Sequence, residues 1–282
     1  MPLPNLPDPP RLYLVDGYAL IYRAFFAMLA RPLTTARGEN TSAALGIANF
    51  LDRLLRKEKQ LEYLAWVHDS GSSFRKEEYA GYKATREKLT DELQADFNRG
   101  VDRIGQLLDG YRIRLVAVDG YEADDVIGTL ARQGVERGVN VVIVSGDKDF
   151  HQLVRPGVWL LNPGRGGPGA VDEHWVGVEN AKERLGVEPD RVPDLLALVG
   201  DSSDNVPGVM GIGEKTAQEL IAAYGSLESI LAHAGEIAKK RPREALLAHA
   251  DNARLSKRLV TIHDDVPVAL ELEALQVQEP DS

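Results

Sequence analysis

Short apolar runs, each followed closely by an acidic residue, constrain the fold of this chain most strongly. Runs of this length, rich in valine, leucine and isoleucine, are typical of buried strands. They are LYLV (12–15), LAWV (64–67), RLVAV (114–118) and VVIV (141–144). Amphipathic helical patterns lie between them, at residues 44–55, 97–109 and 122–137. This alternation predicts an α/β fold with a mainly parallel central sheet flanked by helices.

The acids that follow these runs are expected to meet at one edge of the sheet. The carboxyl ends of parallel strands lie along a common edge, where ligands bind in such folds. Each acid taken alone is equally typical of a helix cap or a turn. Four strand ends that each bring an acid to the same edge are better explained by a functional cleft. The predicted cleft acids are Asp16, Asp69, Glu122, Asp124, Asp125, Asp147 and Asp149.

Carboxylates that are gathered this closely indicate a metal site. They cannot all stay ionised without cations, and hard divalent ions such as Mg²⁺ or Mn²⁺ prefer oxygen ligands. Two ions about 3.5–4 Å apart form the usual clamp for displacement at phosphorus, one activating water and the other stabilising the leaving oxygen. The chain has no cysteine, and its six histidines show no HxH or HxxxH spacing, so a zinc site is not expected.

The chain changes character at about residue 190, where strand signals become sparse. We therefore predict an α/β region over residues 1–190 and a helical region over 191–282. The helical region begins near a further acidic pair, Asp201 and Asp204, which would project the same way on a helix or a turn. An Asx-turn or a cap is the alternative interpretation of that pair.

A glycine-rich segment, GVMGIGEKTA, follows this pair and opens a predicted helix. Glycines permit a tight turn there, and the free amides of a helix N-terminus can hold a phosphate without reading a base. The residues predicted to contact nucleic acid in this segment are Gly211, Gly213, Lys215 and Thr216. The segment fits neither the P-loop nor the GxGxxG pattern.

Residues 71–95 are polar, mixed in charge and too long for an ordinary connection between a strand and a helix. The stretch FRKEEYAGYKATREK interleaves basic residues such as Arg75 with aromatic residues such as Tyr82. This pattern suits a threaded single strand, because cations meet phosphates while rings stack on bases. A solvated amphipathic helix is the alternative, since Glu77, Glu78 and Glu87 dilute the positive charge.

Composition limits the partners and the compartment. The net charge of −10 and the pI near 5.2 argue at first against nucleic acid, but metal-bound carboxylates count in that charge and present a cationic face once loaded. The chain has no run of 18 apolar residues, so no membrane span is expected. Its proline-rich start lacks the features of a signal peptide. A cytoplasmic location is therefore expected.

Five motifs, in order, resemble those of the 5′-nuclease (flap endonuclease) family, and most closely its members at the N-terminus of bacterial DNA polymerase I. They are LYLVDGYALIYRAFFA, FRKEEYAGYKATR, GYEADDVIGTLA, VVIVSGDKDFHQL and LVGDSSDNVPGVMGIGEKTA. The resemblance covers nearly the whole chain. It implies a PIN-like α/β core with a helical arch at about 71–95 and a helix-hairpin-helix (H3TH) at about 204–224.

The resemblance also implies a function: a structure-specific 5′ nuclease with 5′→3′ exonuclease and flap endonuclease activity, used in primer removal and DNA repair. Its substrates would be 5′ flaps, nicked or gapped duplexes and RNA primer ends. A DNA polymerase, as an attached domain or a partner, is also implied. A monomeric state is expected. Family members use Mg²⁺, with Mn²⁺ often substituting, and often hold K⁺ at the hairpin.

The resemblance assigns roles by motif. Asp16, Asp69, Glu122 and Asp124 would surround one metal ion. Asp147, Asp149, Asp201 and Asp204 would hold the second, with Asp125 close by. Lys83 and Arg86 would lie in the arch above the active site, and Arg23 would contact the scissile phosphate. The arch lacks the proline that often follows this motif in the family, which is a departure from the family pattern.

Two other classes of function stay open. One is a different metal-dependent phosphohydrolase on a similar core: a PIN-like ribonuclease or a haloacid-dehalogenase-type phosphatase. The phosphatase needs a second aspartate two residues after Asp16, where Tyr18 stands, and the ribonuclease would lack the hairpin. The other is a non-catalytic module that binds branched DNA, which would not need the acids.

Overall fold

The structure is a computed structural model that describes residues 10–58, 61–86, 88–164 and 172–280. The proline-rich start and most of the glycine-rich segment near residue 165 lie outside these ranges. The strands are β1 (Arg11–Asp16), β2 (Tyr63–Val67), β3 (Arg114–Val116), β4 (Asn140–Val144), β5 (Val158–Asn162) and β6 (His174–Val176). The sheet order is β3-β2-β1-β4-β5-β6, with β1 to β5 parallel and β6 antiparallel to β5. The predicted α/β class is confirmed.

Helices cover both faces of the sheet and form the second region. The α-helices are α1 (Gly17–Ala27), α2 (Ser42–Lys57), α3 (Phe74–Glu78), α4 (Asp91–Gly110), α5 (Ala123–Glu136), α6 (Lys182–Leu185), α7 (Val192–Val199), α8 (Glu214–Tyr224), α9 (Leu227–Ala232) and α10 (Lys240–Val260). Short 3-10 helices lie at Asp149–Leu153, Pro189–Arg191, Ala234–Glu236 and Leu272–Leu275.

The central strand β1 is buried on both faces, which explains why its sequence reads as a continuous apolar run. Leu12 and Leu14 pack with α5 on one face, while Tyr13 and Val15 pack with α1, α2 and α4 on the other. Successive side chains of a strand point to opposite faces, so a strand between two helical layers needs apolar residues at every position. This double burial fixes the carboxyl end of β1, and therefore Asp16, at the edge of the sheet.

Helices α7 to α10 enclose a core of their own, as the change in sequence character predicts. Val209 and Ile212 of the glycine-rich hairpin are buried in that core with Leu195 and Leu246. The hairpin runs from residue 200 to residue 213 between α7 and α8, so helix, hairpin and helix follow one another as expected. Ser256 of α10 accepts a hydrogen bond from the amide of Gly208 at 2.9 Å, which ties α10 to the hairpin.

The end of the chain does not stay with the helical region. After α10, residues 261–277, here called the C-terminal strap, return to the α/β core, where Ile262, Val266 and Leu270 are buried with α5. Gln133 of α5 holds the strap at two points: its Nε2 donates to the Val268 carbonyl at 2.7 Å and its Oε1 accepts from the Leu270 amide at 2.8 Å. The prediction of a helical region over all of 191–282 is therefore wrong for this last part.

The polar insertion folds compactly between β2 and α4. It contains the short helix α3 and a series of turns over residues 80–85, and the helix α4 begins at Asp91, inside the range 71–95 predicted for the insertion. Glu87 lies outside the described residues. In the part of the chain that the structure describes, no helix is long and apolar enough to cross a membrane.

Candidate active site

A cleft of about 250 Å³ opens at the carboxyl edge of the parallel strands. Its acidic lining residues are Asp16, Asp69, Glu122, Asp124, Asp147 and Asp149. They come from the ends of β1, β2 and β4 and from the start of α5, which follows β3. The structure thus brings together six of the acids for which the sequence predicts a shared cleft.

Several of these acids also serve the local backbone, as their alternative interpretations propose. Asp16 is the N-cap of α1 and accepts a hydrogen bond from the Ala19 amide at 3.4 Å. Asp69 accepts one from the Ala123 amide, in the first turn of α5, at 2.6 Å. Capping and ligand roles are compatible, because a carboxylate has about four acceptor positions and the cap uses one.

The pKa values of the cleft acids show that several of these carboxyls resist ionisation when no cation is bound. Burial raises the pKa of Asp16 to about 7, and the carboxylates of Asp147 and Asp69 add to this effect, although a hydrogen bond from Ser145 opposes it. Burial, together with Asp147 and other nearby acids, raises the pKa of Asp149 to about 8. Burial also raises the pKa of Asp124 well above its usual range. Nearby cations would keep these groups ionised.

The donor set fits divalent metal ions. All the acidic side chains that line the cleft present oxygen, and the buried Oδ1 of Asp149 has no hydrogen-bond partner among the described residues. Within the described ranges, no three carboxylate or histidine side chains are arranged so that they could hold one ion as they stand. Small movements of side chains are therefore needed to form a complete ligand set.

Protein cations neutralise part of the cluster. Lys83 Nζ lies 2.6 Å from Glu122 Oε1 and 3.9 Å from Asp204 Oδ2, and Arg86 Nη2 lies 2.6 Å from Asp204 Oδ1. Lys148 Nζ lies 2.7 Å from Asp201 Oδ2. Burial would raise the pKa of Glu122, but the ammonium of Lys83, together with Arg75 and the hydroxyl of Tyr82, holds that pKa below its usual range.

The insertion brings Lys83 and Arg86 to the cleft through backbone contacts with the loop after α7. The Lys83 amide donates to the Asp204 carbonyl at 2.9 Å, and Asn205 Nδ2 donates to the Gly81 carbonyl at 2.6 Å. Lys83 and Asn205 both have a left-handed backbone, with φ of 56°. Such a conformation is uncommon outside glycine and costs free energy, so the surrounding contacts must hold it in place.

Asp201 and Asp204 lie beside the cleft rather than in its lining. Asp201 Oδ1 accepts a hydrogen bond from the Ser203 amide at 2.7 Å, which is the Asx-turn that the alternative interpretation proposes. Its other oxygen faces Lys148, and both acids contribute to the raised pKa of Asp149. The pair is therefore close enough to share charge with the cleft.

Three predicted site residues need correction. Arg75, predicted to contact nucleic acid, is 1% exposed and its guanidinium faces Asp125 and Glu122. Asp125, predicted to bind metal, is fully buried and is bonded to that guanidinium instead of lining the cleft. Tyr82, predicted to stack on bases, is 4% exposed and its hydroxyl donates to Glu122 Oε2 at 2.9 Å. All three act inside the protein because their polar groups find buried partners.

The remaining predicted contacts lie at the periphery. Arg23 donates from Nη1 to Asn162 Oδ1 at 3.4 Å, beside the turn that carries Asp147. In the hairpin, Gly211 has a φ of 90° and Gly213 is the N-cap of α8. Lys215 is exposed and Thr216 half-buried. No side chain of the described residues caps the first amides of α8, so that helix end could face a phosphate.

Two family models together match the chain from residue 11 to its end. The model of the N-terminal resolvase-like domain of 5′-3′ exonucleases matches residues 11–186, and the model of their C-terminal SAM fold matches residues 187–282. The chain belongs to the 5′-3′ exonuclease family. The two models meet four residues before the division that the sequence predicts at 190–191.

Named relatives in the exonuclease family include both long and short proteins. DNA polymerase I of Chloroflexus aurantiacus is 45% identical over 271 residues, which is 95% of this chain and 28% of that relative. A 5′-3′ exonuclease of Aquifex aeolicus is 38% identical over 271 residues, which is 96% of this chain and 88% of that relative. The chain thus spans about a third or less of the DNA polymerase I relatives that it matches.

Solved structures share the fold of this exonuclease-family chain. A structure of T5 5′-exonuclease with bound zinc has a TM-score of 0.73 at 21% identity and covers 89% of each chain. The catalytic core of Rad2 in complex with a DNA substrate has a TM-score of 0.61 at 18% identity and covers 97% of this chain and 84% of that one. At this level of identity the likeness establishes the fold.

Four further residues at the exonuclease-family cleft are absent from the sequence predictions. Tyr18 and Tyr22 line it from one face of α1, because a spacing of four places them together on a helix. Ser145 donates to Asp16 Oδ2 at 2.8 Å, and Lys148 pairs with Asp201. Ser145 and Lys148 stand within the motif VSGDKD, so their proximity to Asp147 is the signal that could have identified them.

Proposed function

We propose that the chain is a structure-specific 5′ nuclease that hydrolyses phosphodiester bonds of DNA, with 5′→3′ exonuclease and 5′-flap endonuclease activity. The observation that supports this most is the convergence of six carboxylates from separate strand ends in one cleft, beside Lys83 and Arg86. Membership of the exonuclease family and the motif resemblance point to the same activity.

The proposed cofactors are two Mg²⁺ ions, for which Mn²⁺ could substitute. Asp16, Asp69, Glu122 and Asp124 would hold one, and Asp147, Asp149, Asp201 and Asp204 the other. When bound, such ions neutralise the carboxylates and stabilise the negative charge that develops at phosphorus. A K⁺ ion at the hairpin remains a prediction.

Lys83 and Arg86 have a proposed role toward the substrate. Both are paired with Glu122 or Asp204, acids that the proposed ions would neutralise. Once metal ions neutralise Glu122 and Asp204, the side chains of Lys83 and Arg86 are free to donate to the oxygens of a phosphodiester in the same cleft. Fixed donors aimed at developing charge stabilise a transition state more than the ground state. The two residues are therefore proposed to act on the chemical step.

The aromatic and hairpin residues have proposed roles in holding DNA. Tyr22 is 41% exposed at the cleft, and its ring stacks on Phe97 with centroids 4.4 Å apart, which makes it a rigid surface for a base. The α8 N-terminus, with Lys215, would hold the backbone of a duplex. Proposed substrates are 5′ flaps, nicked or gapped duplexes and RNA primer ends. A DNA polymerase, attached or separate, is the proposed partner, and a monomer the proposed state.

A 5′-labelled flap substrate tests the proposal directly. The protein should release the flap or short 5′ products with Mg²⁺ and with Mn²⁺, and should release none in EDTA. Product length separates endonucleolytic from exonucleolytic cleavage. Flap binding without cleavage in either metal would instead favour the non-catalytic branched-DNA module. Cleavage confined to an RNA version of the strand would favour the ribonuclease.

A further inference from the structure

Arg75 uses its whole guanidinium inside the protein. Its Nη1 and Nη2 donate to the two oxygens of Asp125 at 2.6 and 2.8 Å, and Nη1 also donates to Glu122 Oε2 at 3.3 Å. Its Nε donates to the Leu259 carbonyl at 2.8 Å, and Nη2 to the Thr261 carbonyl at 2.8 Å. These five hydrogen bonds match the five N–H groups of an arginine, so none is left for a ligand.

These contacts join three parts of the chain at one point. Arg75 belongs to α3, at the root of the insertion that carries Lys83. Asp125 lies in the first turn of α5, next to Asp124. Leu259 lies in the last turn of α10, and Thr261 begins the C-terminal strap. Asp125 Oδ1 also accepts from the His263 amide in the strap at 2.8 Å.

The helix α10 extends the connection to the hairpin. Ser256 binds the hairpin amide of Gly208, and Leu259, three residues later, binds Arg75. Both residues are buried, so neither contact is weakened by exchange with water. The last turns of α10 are therefore hydrogen-bonded both to the hairpin and, through Arg75, to the acids at the start of α5.

Stability alone is a poor explanation for such a pair. A buried ion pair costs much desolvation energy, and well-packed apolar residues of similar volume are often at least as stabilising. The fork formed by Nη1 and Nη2 of Arg75 instead fixes the position of Asp125, because a bidentate guanidinium–carboxylate contact sets both distance and orientation. The same guanidinium donates one further hydrogen bond, to Glu122, which is an acid that lines the cleft.

We infer that Arg75 and Asp125 form a positioning pair, which holds the acid-bearing start of α5 in a fixed relation to α10 and the hairpin. The pair touches neither DNA nor metal ion; it acts through Glu122, the neighbouring Asp124 and the end of α10. This inference rests on the proposed function, because the geometry it concerns is that of the proposed metal ligands and duplex contact.

The test uses Arg75→Lys, which keeps the charge but loses the fork, and Asp125→Asn, which keeps the shape but loses the charge. Mn²⁺ alone is titrated into each variant and the free ion is measured by electron paramagnetic resonance. Each variant should bind Mn²⁺ roughly 10- to 100-fold more weakly, the usual effect of removing a group that orients a metal ligand. In flap cleavage, kcat should fall while KM changes less than about threefold, because the lost interaction is one that shapes the transition state.

Arg103→Lys is the matched control. Arg103 also makes a bidentate contact with a carboxylate, from Nε and Nη2 to Glu39 at 2.6 and 3.0 Å, but on the surface and away from α5 and α10. It should leave Mn²⁺ binding and kcat unchanged. Variants of Arg75 and Asp125 that lose thermal stability yet bind Mn²⁺ like the wild type would show a merely structural pair. Weaker flap binding with unchanged Mn²⁺ binding would show a DNA contact; either result overturns the inference.

The double variant Arg75→Met with Asp125→Leu covers the case in which the single variants do not fold. It replaces both charges with apolar side chains, so that the bidentate contact is removed without leaving either buried charge unpaired. Weak Mn²⁺ binding by the folded double variant supports the inference, and wild-type binding overturns it. Failure of the proposed function is a separate result: the wild-type protein would then leave the flap uncut whatever the variants do with Mn²⁺.

Discussion

Without divalent ions, the protein should lose stability as the pH rises from about 6.5 to 8. The cause is the raised pKa of two buried carboxyls, about 7 for Asp16 and about 8 for Asp149. In the unfolded chain, aspartate has a pKa of about 3.9. In this range the unfolded chain has already released both protons, whereas the folded protein releases them only as the pH rises. The free energy of unfolding falls with pH as long as the folded protein keeps protons that the unfolded chain has released.

The size of the effect follows from the two pKa values. Each such group lowers the free energy of unfolding by about 1.4 kcal/mol per pH unit until its folded pKa is reached. From pH 6.5 to 8, Asp16 acts over roughly half a pH unit and Asp149 over about one and a half, so the loss is roughly 2–3 kcal/mol. For a protein of this size, that lowers Tm by about 5–10 °C.

Other titrating groups determine where this pH window begins. Burial lowers the pKa of His68 to about 4, and burial followed by the charge of Arg184 lowers that of His151 to about 4. These two histidines stabilise the fold as the pH rises, but only up to the unfolded pKa of about 6.5, after which their contribution is constant. The chain has no cysteine, so no thiol titrates above that value. Asp124 adds to the loss in the same direction as Asp16.

Thermal unfolding followed by circular dichroism, at pH 6.5, 7.25 and 8 in EDTA, measures the effect. In Mg²⁺ the same series should be nearly flat, because a bound ion favours the ionised carboxylates throughout the window. Asp149→Asn should remove most of the pH dependence and should be more stable than the wild type at pH 8 in EDTA. A Tm in EDTA that is equal at pH 6.5 and 8, or higher at pH 8, would refute the reasoning.

Three further variants separate the proposed roles of the cleft and the hairpin. Lys83→Ala should slow single-turnover flap cleavage about 100-fold at saturating enzyme, the usual cost of losing a donor to developing charge. Substitution of the exposed Lys88 by alanine is the control. An unchanged rate for Lys83→Ala would contradict a role of Lys83 in the chemical step. Asp124→Asn should abolish cleavage but keep flap binding in Ca²⁺ within a few fold of the wild type. The control, Asp119→Asn at an exposed position, should cleave normally. Cleavage by the Asp124 variant would show that this residue is not part of the mechanism. Lys215→Ala should weaken flap binding and reduce its salt dependence by about one phosphate contact, with the single-turnover rate preserved, if it contacts the backbone. Equal salt slopes would argue against that contact.

The positions of the cleft acids were predictable because they depend on topology alone. Parallel strands end at one edge of a sheet. Asp16 is the last residue of β1, and Asp69 and Asp147 follow β2 and β4 within three residues. No knowledge of side-chain partners is needed for that inference. For the same reason the α/β class and the helical second region, which depend on hydrophobic periodicity, could be read from the sequence.

The buried polar residues could not be predicted in this way. Arg75 and Tyr82 belong to a polar insertion, where the sequence offers no sign that their partners are Asp125 and Glu122, some 40 to 50 residues further along. Burial of a charge depends on a partner that folding supplies, whereas exposure is the default for a basic residue. The strap was mispredicted for a related reason. The spacing of Ile262, Val266 and Leu270 is that of a helix, but the segment is irregular and its backbone is held by Gln133 of α5.

The acidic composition of the chain is consistent with a DNA partner once the charges are placed. Acids outnumber bases by 43 to 33, and the eight carboxylates proposed as metal ligands account for eight of those ten excess charges. The rest of the chain is therefore close to neutral. Lys83, Arg86 and Lys148 already offset part of the cluster, and two divalent ions would offset four charges more. The low pI thus results mainly from the carboxylates of the proposed metal site. The charge of the surface that DNA would meet therefore depends on whether metal ions occupy that site.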